Sequence, residues 1–364
     1  MVMNSSSVIR VMIVDDSVLV RGLLRNIVEK HPRLEIVASC ADGEAALEDY
    51  ATCKPDIVLL DVEMPYMDGL TTLRILLERD PEAHVIMCSS LTQAGAETTY
   101  KALDIGALDC LGKPSAQTID RGEGFADQLC RMLVSLGEQG DRAALPAALG
   151  EKASDIRLRP YPSRFPTSFP LALAIGASTG GPQALPHFFK ALNSHLMLPV
   201  FVTQHMPSGF ADLMAESIRK QAGMPTHVAQ DGMLVEPGHI YMAPAGRHMG
   251  ITKAGMCKIT LMDTAPVNFC KPSINVMLDS LRETYGDNIL TVMMTGMGMD
   301  GKDACKRLAE SGTHNVILAQ DRESSAIWGI PGAIATEGLC NDVLPLNEIG
   351  PVVNRLIKRE VMAV

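Results

Sequence analysis

Three polar residues in the C-terminal half of this 364-residue chain have the types that a hydrolytic site needs. Ser178 lies in the sequence Gly-Ala-Ser-Thr-Gly at positions 176–180, directly after an apolar run. This matches the Gly-x-Ser-x-Gly pattern of a nucleophilic serine on a strand-to-helix turn. A serine needs a base to take its proton, and the base needs a carboxylate to orient it. His205 and Asp300 each follow another apolar run, so we predict a catalytic set of Ser178, His205 and Asp300.

The sequence leaves alternatives for each member of this set. A glycine-rich turn after a strand also binds phosphate, although the dinucleotide pattern and the P-loop lysine are both missing. His227 and His248 remain possible bases, but only His205 directly follows a predicted strand that ends at the edge where the serine lies. Asp321 is the competing carboxylate, and Asp300 has a structural alternative as the cap of the helix that follows it.

A second group of polar residues lies in the N-terminal third, again where predicted strands end. The carboxylates of Asp15, Asp16 and Asp61 repel one another at one sheet edge, and a hard divalent cation relieves that repulsion, so we predict a Mg²⁺ site. Lys113 and Ser89 add an ammonium and a hydroxyl, which equips the site to hold a phosphoryl group on Asp61. Each residue alone has an ordinary explanation as a helix cap or loop residue, and the combination carries the prediction.

Both groups depend on strands that alternate with helices. In the first half, apolar runs predict strands at 8–14, 34–39, 56–60, 84–88 and 107–110, with helices beginning near residues 17, 43, 69 and 95. This alternation indicates a parallel sheet covered by helices, with polar residues gathered at the carboxyl ends of the strands.

The alternation resumes in the second half, from residue 171. Strands are predicted after residue 171 and at 199–203, 239–243, 288–294 and 315–319, with helices after the serine turn and after residues 209, 273, 301 and 331. Glycines and prolines break up residues 227–261, which predicts hairpins. The predicted fold class is α/β, with a doubly wound sheet and an antiparallel hairpin excursion in this half.

Composition excludes several kinds of protein. The chain is 47% hydrophobic and 20% charged, as in globular proteins of about two domains. A net charge of −10 argues against nucleic acid or an anionic membrane as a partner. Nine cysteines without Cys-x-x-Cys or Cys/His spacing indicate neither a zinc site nor a disulfide framework. Without a signal peptide or a run long enough to span a bilayer, we expect a cytoplasmic protein that is not inserted in a membrane.

Residues 8–137 resemble the receiver domain of bacterial response regulators. The resemblance includes Asp-Val-Glu-Met-Pro-Tyr-Met-Asp-Gly at 61–69 and the Lys-Pro pair at 113–114. It implies a flavodoxin-like sheet of five parallel strands, with Asp61 phosphorylated by a histidine kinase of the CheA type. The implied Mg²⁺ ligands are Asp15, Asp16, Asp61 and the backbone carbonyl of Glu63. The implied phosphoryl contacts are Ser89 and Lys113.

One residue departs from the receiver pattern. Cys110 stands where receivers often carry an aromatic side chain that moves on phosphorylation. We therefore expect Ser89 and the loop after it to carry more of that signal in this chain.

From residue 171 to near the C-terminus, the chain resembles the catalytic domain of the CheB family, the chemotaxis protein-glutamate methylesterases. The resemblance rests on residues 176–182, 204–207, 241–244 and 295–301, and the order Ser, His, Asp argues against an α/β-hydrolase. It implies that Ser178 is the nucleophile, that His205 is the general base and then the acid, and that Asp300 holds His205. The implied oxyanion donors are the backbone N–H groups of Thr179 and Met297.

The same resemblance implies a reaction. Glutamate γ-methyl esters on chemoreceptors would be hydrolysed with release of methanol, often together with deamidation of receptor glutamines, and no metal or organic cofactor would be needed for that step. The alternatives are a phosphorylation-controlled binding protein and an esterase that acts on another substrate. A DNA-binding regulator is disfavoured by the acidic charge and the missing helix-turn-helix pattern.

Between residues 138 and 170 the periodicity disappears. The prolines at 160, 162, 166 and 170 favour an extended connector, although residues 143–149 could form a short helix. We therefore predict a receiver domain over residues 1–137, a linker over 138–170 and a catalytic domain over 171–364. Our hypothesis for regulation is that the unphosphorylated receiver covers the Ser178 edge and that phosphorylation loosens this packing.

Overall fold

The computed structural model describes residues 8–89, 93–113, 124–140, 156–193, 195–312 and 314–359. The chain divides into two compact units, residues 1–148 and residues 149–364. Each unit has its own parallel sheet. The short helix suggested at 143–149 lies outside the described residues.

Five parallel strands form the sheet of the N-terminal unit, in the order β2-β1-β3-β4-β5. The strands are β1 Ile9–Val14, β2 Leu34–Cys40, β3 Ile57–Asp61, β4 Val85–Ser89 and β5 Asp109–Gly112. The helices are α1 Val18–Val28, α2 Gly43–Cys53, α3 Gly69–Arg79, α4 Gln93–Ile105 and α5 Gly124–Gly140. The predicted five-stranded parallel sheet is therefore confirmed.

Seven parallel strands form the sheet of the C-terminal unit, in the order β14-β13-β12-β6-β7-β9-β8. The strands are β6 Ala172–Ala177, β7 Val200–Gln204, β8 Thr226–Val228, β9 Ile240–Met242, β12 Ile289–Met293, β13 Val316–Gln320 and β14 Asp342–Leu344. A separate pair consists of β10 His248–Ala254 and β11 Met256–Met262. The helices are α6 Gly181–Ala191, α7 Ala211–Ala222, α8 Ile274–Tyr285, α9 Lys302–Ser311, α10 Ile330–Ala335 and α11 Leu346–Ile357.

The central strands of this sheet are apolar because they are covered on both faces. Every residue of β6, β7, β12 and β13 is buried. Helix α6 packs against α7 and α11, and α8 packs against α9 and the hairpin. The central strands therefore read as continuous apolar runs, as expected for a parallel sheet. Among the described residues, no helix is both long and apolar enough to cross a bilayer.

The prediction of hairpins over residues 227–261 is correct only in part. Strands β10 and β11 do form an antiparallel pair, with His248 opposite Met262. Strands β8 and β9 are instead parallel and extend the main sheet. Strand β9 is buried along its whole length, and β7 and β8 on its two sides supply the hydrogen-bond partners that its backbone groups need.

Residues 156–170, in the second half of the predicted linker, pack along the C-terminal unit. The Arg159 N–H donates to the carbonyl of Cys340 at 2.8 Å, and the Tyr161 hydroxyl donates to Asp342 Oδ2 at 3.1 Å. Phe169 is buried. This stretch therefore belongs structurally to the C-terminal unit. The division into a receiver domain, a linker and a catalytic domain stays a prediction.

Candidate functional site

Ser178 lies at the carboxyl end of β6, on the turn that leads into α6. On this turn Gly180 has a φ of +78°, a left-handed conformation that glycine adopts without strain. The neighbouring loop approaches closely, since a Cβ added at Gly296 would lie 2.7 Å from the Cβ of Ser178. The Ser178 N–H donates to the carbonyl of Thr295 at 3.0 Å. The serine is therefore fixed between two strand ends, and 9% of its surface is exposed.

Strand pairing places His205 beside Ser178. Ala177 and Gln204 are register partners on β6 and β7, and the serine and the histidine are the next residues on their strands. The His205 N–H donates to the carbonyl of Ala177 at 3.1 Å. The Gln204 side-chain amide donates to the carbonyl oxygens of both Ser178 and His205, at 2.8 Å each. This amide holds the two strand ends together.

Asp300 lies in the loop between β12 and α9, with its Oδ2 2.9 Å from Nε2 of His205. Three further donors fix the carboxylate. The Ser273 hydroxyl donates to Oδ1 at 2.8 Å, the Ile274 N–H donates to Oδ2 at 2.7 Å, and the Asn275 N–H donates to Oδ1 at 3.3 Å. Two of these donors are the first N–H groups of α8, where the helix dipole favours a negative charge.

The alternative role of Asp300 as the cap of its own following helix is wrong. Helix α9 begins after Gly301 and has no side-chain cap. The Asp300 carboxylate caps the N-terminus of α8 instead. It is thus both a helix cap and the partner of His205, but the helix that it caps begins about 25 residues earlier in the chain.

The surroundings shift the pKa values of Asp300 and His205 in opposite directions. Burial alone would raise the pKa of Asp300, but hydrogen bonds from His205, Ile274 and Ser273 lower it below its usual value. Burial alone would lower the pKa of His205, but Asp300 and the nearby Cys270 side chain outweigh it and raise the pKa to about 9. The pair therefore favours a carboxylate and a strongly basic imidazole.

The competing residues have other partners. Asp321 accepts hydrogen bonds from the backbone N–H and the hydroxyl of Ser324, at 2.9 and 2.6 Å. Nε2 of His227, on the edge strand β8, lies 3.1 Å from Nδ1 of His239, which directly precedes β9. Each of these side chains is therefore engaged away from the His205–Asp300 pair.

The supporting roles of several residues were missed by the sequence analysis. His248 is fully buried, and its Nδ1 accepts the backbone N–H of Ser273 at 3.1 Å. His248 is therefore a support for Ser273, which in turn holds Asp300. The Cys270 side chain lies beside His205 and Asp300. No local spacing predicts these roles, because the contacts form only when separate loops meet. The sequence marked His248 only as an alternative base and Ser273 only as the residue before a predicted helix.

The backbone groups predicted as oxyanion donors lie on the two loops that flank Ser178. Thr179 is the next residue and is buried, and Met297 follows Gly296. Among the described residues, neither N–H donates a hydrogen bond within the protein. Unpaired N–H groups of this kind suit a negative oxygen that forms only during a reaction.

The second group of polar residues gathers at the carboxyl edge of the N-terminal sheet. Asp15 directly follows β1, and Asp61 is the last residue of the neighbouring strand β3. Both carboxylates are buried, with 1% of their surface exposed. Lys113, after β5, places its Nζ 2.9 Å from Oδ2 of Asp15 and 2.7 Å from Oδ2 of Asp61.

Two further predicted members surround this ion pair. Ser89 ends β4 and is buried, and its carbonyl accepts the backbone N–H of Lys113 at 2.7 Å. The Glu63 N–H donates to Oδ1 of Asp61 at 3.3 Å, whereas the role of its carbonyl as a metal ligand stays a prediction. Burial raises the pKa of Asp61 to about 6, partly offset by Lys113 and reinforced by Asp15.

The donor set at this edge fits a hard divalent cation. One carboxylate oxygen from each of Asp15, Asp16 and Asp61 lies within 4.8 Å of the others. Oxygen ligands are those that Mg²⁺ prefers, and a bound cation would relieve the repulsion between the carboxylates. These three residues would therefore hold the Mg²⁺ of a receiver domain.

Comparison with protein families assigns each unit to a class. The response regulator receiver domain matches residues 11–119, and the CheB methylesterase matches residues 173–353. The fold and the two sites thus define a response regulator whose second domain is a hydrolase.

Full-length relatives are similar along almost the whole chain. A protein-glutamate methylesterase/protein-glutamine glutaminase of Nitrobacter hamburgensis is 39% identical over 359 residues, covering 96% of this chain and 94% of the relative. Protein-glutamate methylesterase/protein-glutamine glutaminase 1 of Rhodospirillum rubrum is 40% identical over 372 residues, covering 95% of each chain. The crystallised CheB methylesterase catalytic domain of Thermotoga maritima is 30% identical, covers 52% of this chain and 98% of its own, and has a TM-score of 0.49. This chain belongs to the CheB methylesterase family.

Proposed function

We propose that this protein hydrolyses glutamate γ-methyl esters on chemoreceptors, releases methanol, and is regulated by phosphorylation at Asp61. The observation that carries the proposal is the 2.9 Å contact between His205 and Asp300 at the strand end next to Ser178. The names of the full-length relatives support protein glutamate esters, and also glutamine amides, as substrates.

In the first half of the reaction, Ser178 Oγ attacks the ester carbonyl carbon while its proton passes to His205. The carbonyl π electrons move onto the oxygen, which the N–H groups of Thr179 and Met297 stabilise. When the oxyanion collapses, the bond to the methoxy oxygen breaks, and His205 returns the proton so that methanol leaves. The product is an acyl-enzyme in which Ser178 carries the receptor glutamyl group.

In the second half, water replaces methanol. His205 takes a proton from the water, which attacks the acyl carbon, and the second tetrahedral species again places its oxyanion on the same N–H groups. His205 then protonates Ser178 Oγ as the acyl bond breaks, and a receptor glutamate is released. Asp300 stays ionised throughout and orients the imidazole, consistent with its lowered pKa. With a glutamine amide the same steps release ammonia.

In the N-terminal unit, we propose that Asp61 accepts a phosphoryl group from a histidine kinase of the CheA type. Bound Mg²⁺ supplies positive charge to the phosphoryl oxygens. Lys113 and Ser89 contact those oxygens, and Asp15 and Asp16 hold the cation with Asp61 and the carbonyl of Glu63. We further propose a cytoplasmic location, and the functional division into receiver, linker and catalytic domain at residues 1–137, 138–170 and 171–364.

The test is methanol release from membranes that carry methylated chemoreceptors. We expect the unmodified chain to release methanol, and a small phosphodonor with Mg²⁺ to raise the rate. Ser178→Ala is expected to lower the rate by about 10⁴-fold or more, because the nucleophile is lost. Asp61→Asn is expected to remove only the response to the phosphodonor.

Two results would contradict the proposal. If Ser178→Ala keeps the rate of the unmodified chain, Ser178 is not the nucleophile. If no receptor preparation releases methanol while Asp61 is phosphorylated normally, the protein is a phosphorylation-controlled binding protein or an esterase with another substrate. Intact-protein mass measurement reports the phosphorylation independently.

A further inference from the structure

Cys270 lies beside the proposed catalytic pair, although it takes no part in the mechanism above. One ligand atom from each of His205, Cys270 and Asp300 lies within 4.8 Å of the other two. The histidine and cysteine are partly exposed, and the aspartate is buried. A nitrogen, a sulfur and an oxygen atom of the kinds that bind metals therefore lie close together, and two of their three residues are partly exposed.

These three atoms are the ligand types that zinc uses in proteins. A thiolate selects Zn²⁺ over hard cations such as Mg²⁺, whose ligands are oxygen atoms. Three protein ligands leave at least one coordination position open, as in zinc sites that also bind water. We propose that His205, Cys270 and Asp300 form a Zn²⁺ site.

The loop that carries Cys270 is built to hold its sulfur in place. Val267 and Cys270 pair through two backbone hydrogen bonds, and Asn268 and Phe269 between them have φ values of 51° and 63°. Positive φ is uncommon for a large side chain such as Phe269, and the two backbone hydrogen bonds between Val267 and Cys270 close this tight turn. The Cys270 thiol donates to the carbonyl of Asn268 at 3.3 Å.

The aspartate ligand is also fixed by its neighbours. The Ser273 hydroxyl and the N–H groups of Ile274 and Asn275 hold the Asp300 carboxylate. Outer hydrogen bonds of this kind orient metal ligands and raise the affinity of a site. Two of the three ligands are therefore positioned before any cation arrives.

Zinc binding and catalysis would exclude each other at this site. Binding needs the Cys270 thiolate and an unprotonated ring nitrogen of His205, so the thiol proton and any proton on that nitrogen pass to solvent. A metal-bound His205 cannot take the proton of Ser178. Zinc is therefore a reversible inhibitor of the hydrolase. This inhibition rests on the proposed function, whereas the existence of the metal site is independent of it.

The experiment uses the full chain after chelator treatment and removal of the chelator. Co²⁺ is added as the probe, because a thiolate bound to cobalt gives an intense near-ultraviolet charge-transfer absorption. We expect one equivalent of Co²⁺ to produce this absorption and Zn²⁺ to displace it. Cys270→Ser should abolish the absorption, and Cys257→Ser, which changes another partly exposed cysteine of the same unit, should retain it.

Inhibition is measured with the methanol-release assay, each protein being compared with its own metal-free rate. We expect half-inhibition of Cys270→Ser to need at least about tenfold more Zn²⁺ than the unmodified chain and Cys257→Ser, because loss of even an outer-shell partner typically costs that much affinity.

Absence of the thiolate absorption, or its persistence in Cys270→Ser, would overturn the metal site. Equal zinc inhibition of Cys270→Ser and the unmodified chain would overturn the competition. If the metal-free chain releases no methanol, the proposed function has failed, and the cobalt absorption still decides the site.

Discussion

The two sites of this chain place a buried aspartate at the same kind of position and give it different neighbours. Asp61 is the last residue of β3, and Asp300 lies in the loop that follows β12, so both are at the carboxyl edge of a parallel sheet. Asp61 faces a second buried carboxylate and the Lys113 ammonium, and its pKa is raised to about 6. Asp300 faces two helix N–H groups, a hydroxyl and His205, and its pKa is lowered.

The difference shows how one topology serves two kinds of chemistry. Among the described residues, Oδ2 of Asp61 accepts no hydrogen bond apart from its ion pair with Lys113. This oxygen is therefore suited to react or to bind a cation. Four donors hold Asp300, so it is suited to orient a neighbour without reacting. The ligand sets differ in the same way, with three oxygens at one edge and a mixed nitrogen, sulfur and oxygen set at the other.

The largest expected difference comes from making the same change at both positions. Asp300→Asn should lower methanol release by about 10³- to 10⁴-fold, because an amide no longer holds the imidazole in the required tautomer. Asp61→Asn should instead abolish phosphorylation. Methanol release and intact-protein mass are measured on both variants, with Asp321→Asn as the control for a carboxylate that accepts its hydrogen bonds from Ser324. Equal losses of hydrolysis in the Asp300 and Asp321 variants would show that Asp300 has no particular role in orienting His205.

The pH dependence should also separate the two sites. In metal-free protein His205 must lose a proton to act as the base, and its pKa is raised to about 9. The value of kcat/KM should therefore rise with pH, by about tenfold per unit below that pKa, and level off above it. Asp61, with a pKa of about 6, is already ionised at pH 7, so phosphorylation by a small donor should lack this alkaline rise. A kcat/KM profile that is flat between pH 7 and pH 9 would contradict the raised pKa.

The smallest expected effect tests the support behind Asp300. Ser273→Ala removes the hydroxyl that donates to Oδ1 and leaves the N–H donors of Ile274 and Asn275. A hydrogen bond to a charged group contributes about 1.5–3 kcal/mol, so we expect kcat to fall by about 10- to 100-fold.

The matched control is Ser280→Ala on the same helix, whose hydroxyl bonds to the Ile251 backbone. It should lower thermal stability without a comparable loss of kcat. If both variants lose kcat equally, Ser273 acts through the stability of α8 and not through Asp300.

The sequence by itself predicted the two parallel sheets and the edge at which each polar group gathers. Apolar runs mark buried strands, and side chains that follow them must lie at the carboxyl edge of a parallel sheet. For this reason Ser178 and His205 could be paired from the sequence, and the register of β6 and β7 places them side by side. For the same reason the sequence predicted that Asp15, Asp61 and Lys113 lie close together.

Only the tertiary structure decided which other residues join these groups. Cys270 and His248 reach the site from the loop before α8 and from a hairpin strand, and no periodicity reports where such segments pack. The structural alternative for Asp300 was to cap its own helix, yet it caps α8, because a helix N-terminus accepts a carboxylate from whichever segment folds against it. Strand periodicity is a property of a few consecutive residues, so the residues that follow strands could be predicted from the sequence. The contacts of their partners depend on how distant segments pack, and the sequence did not predict them.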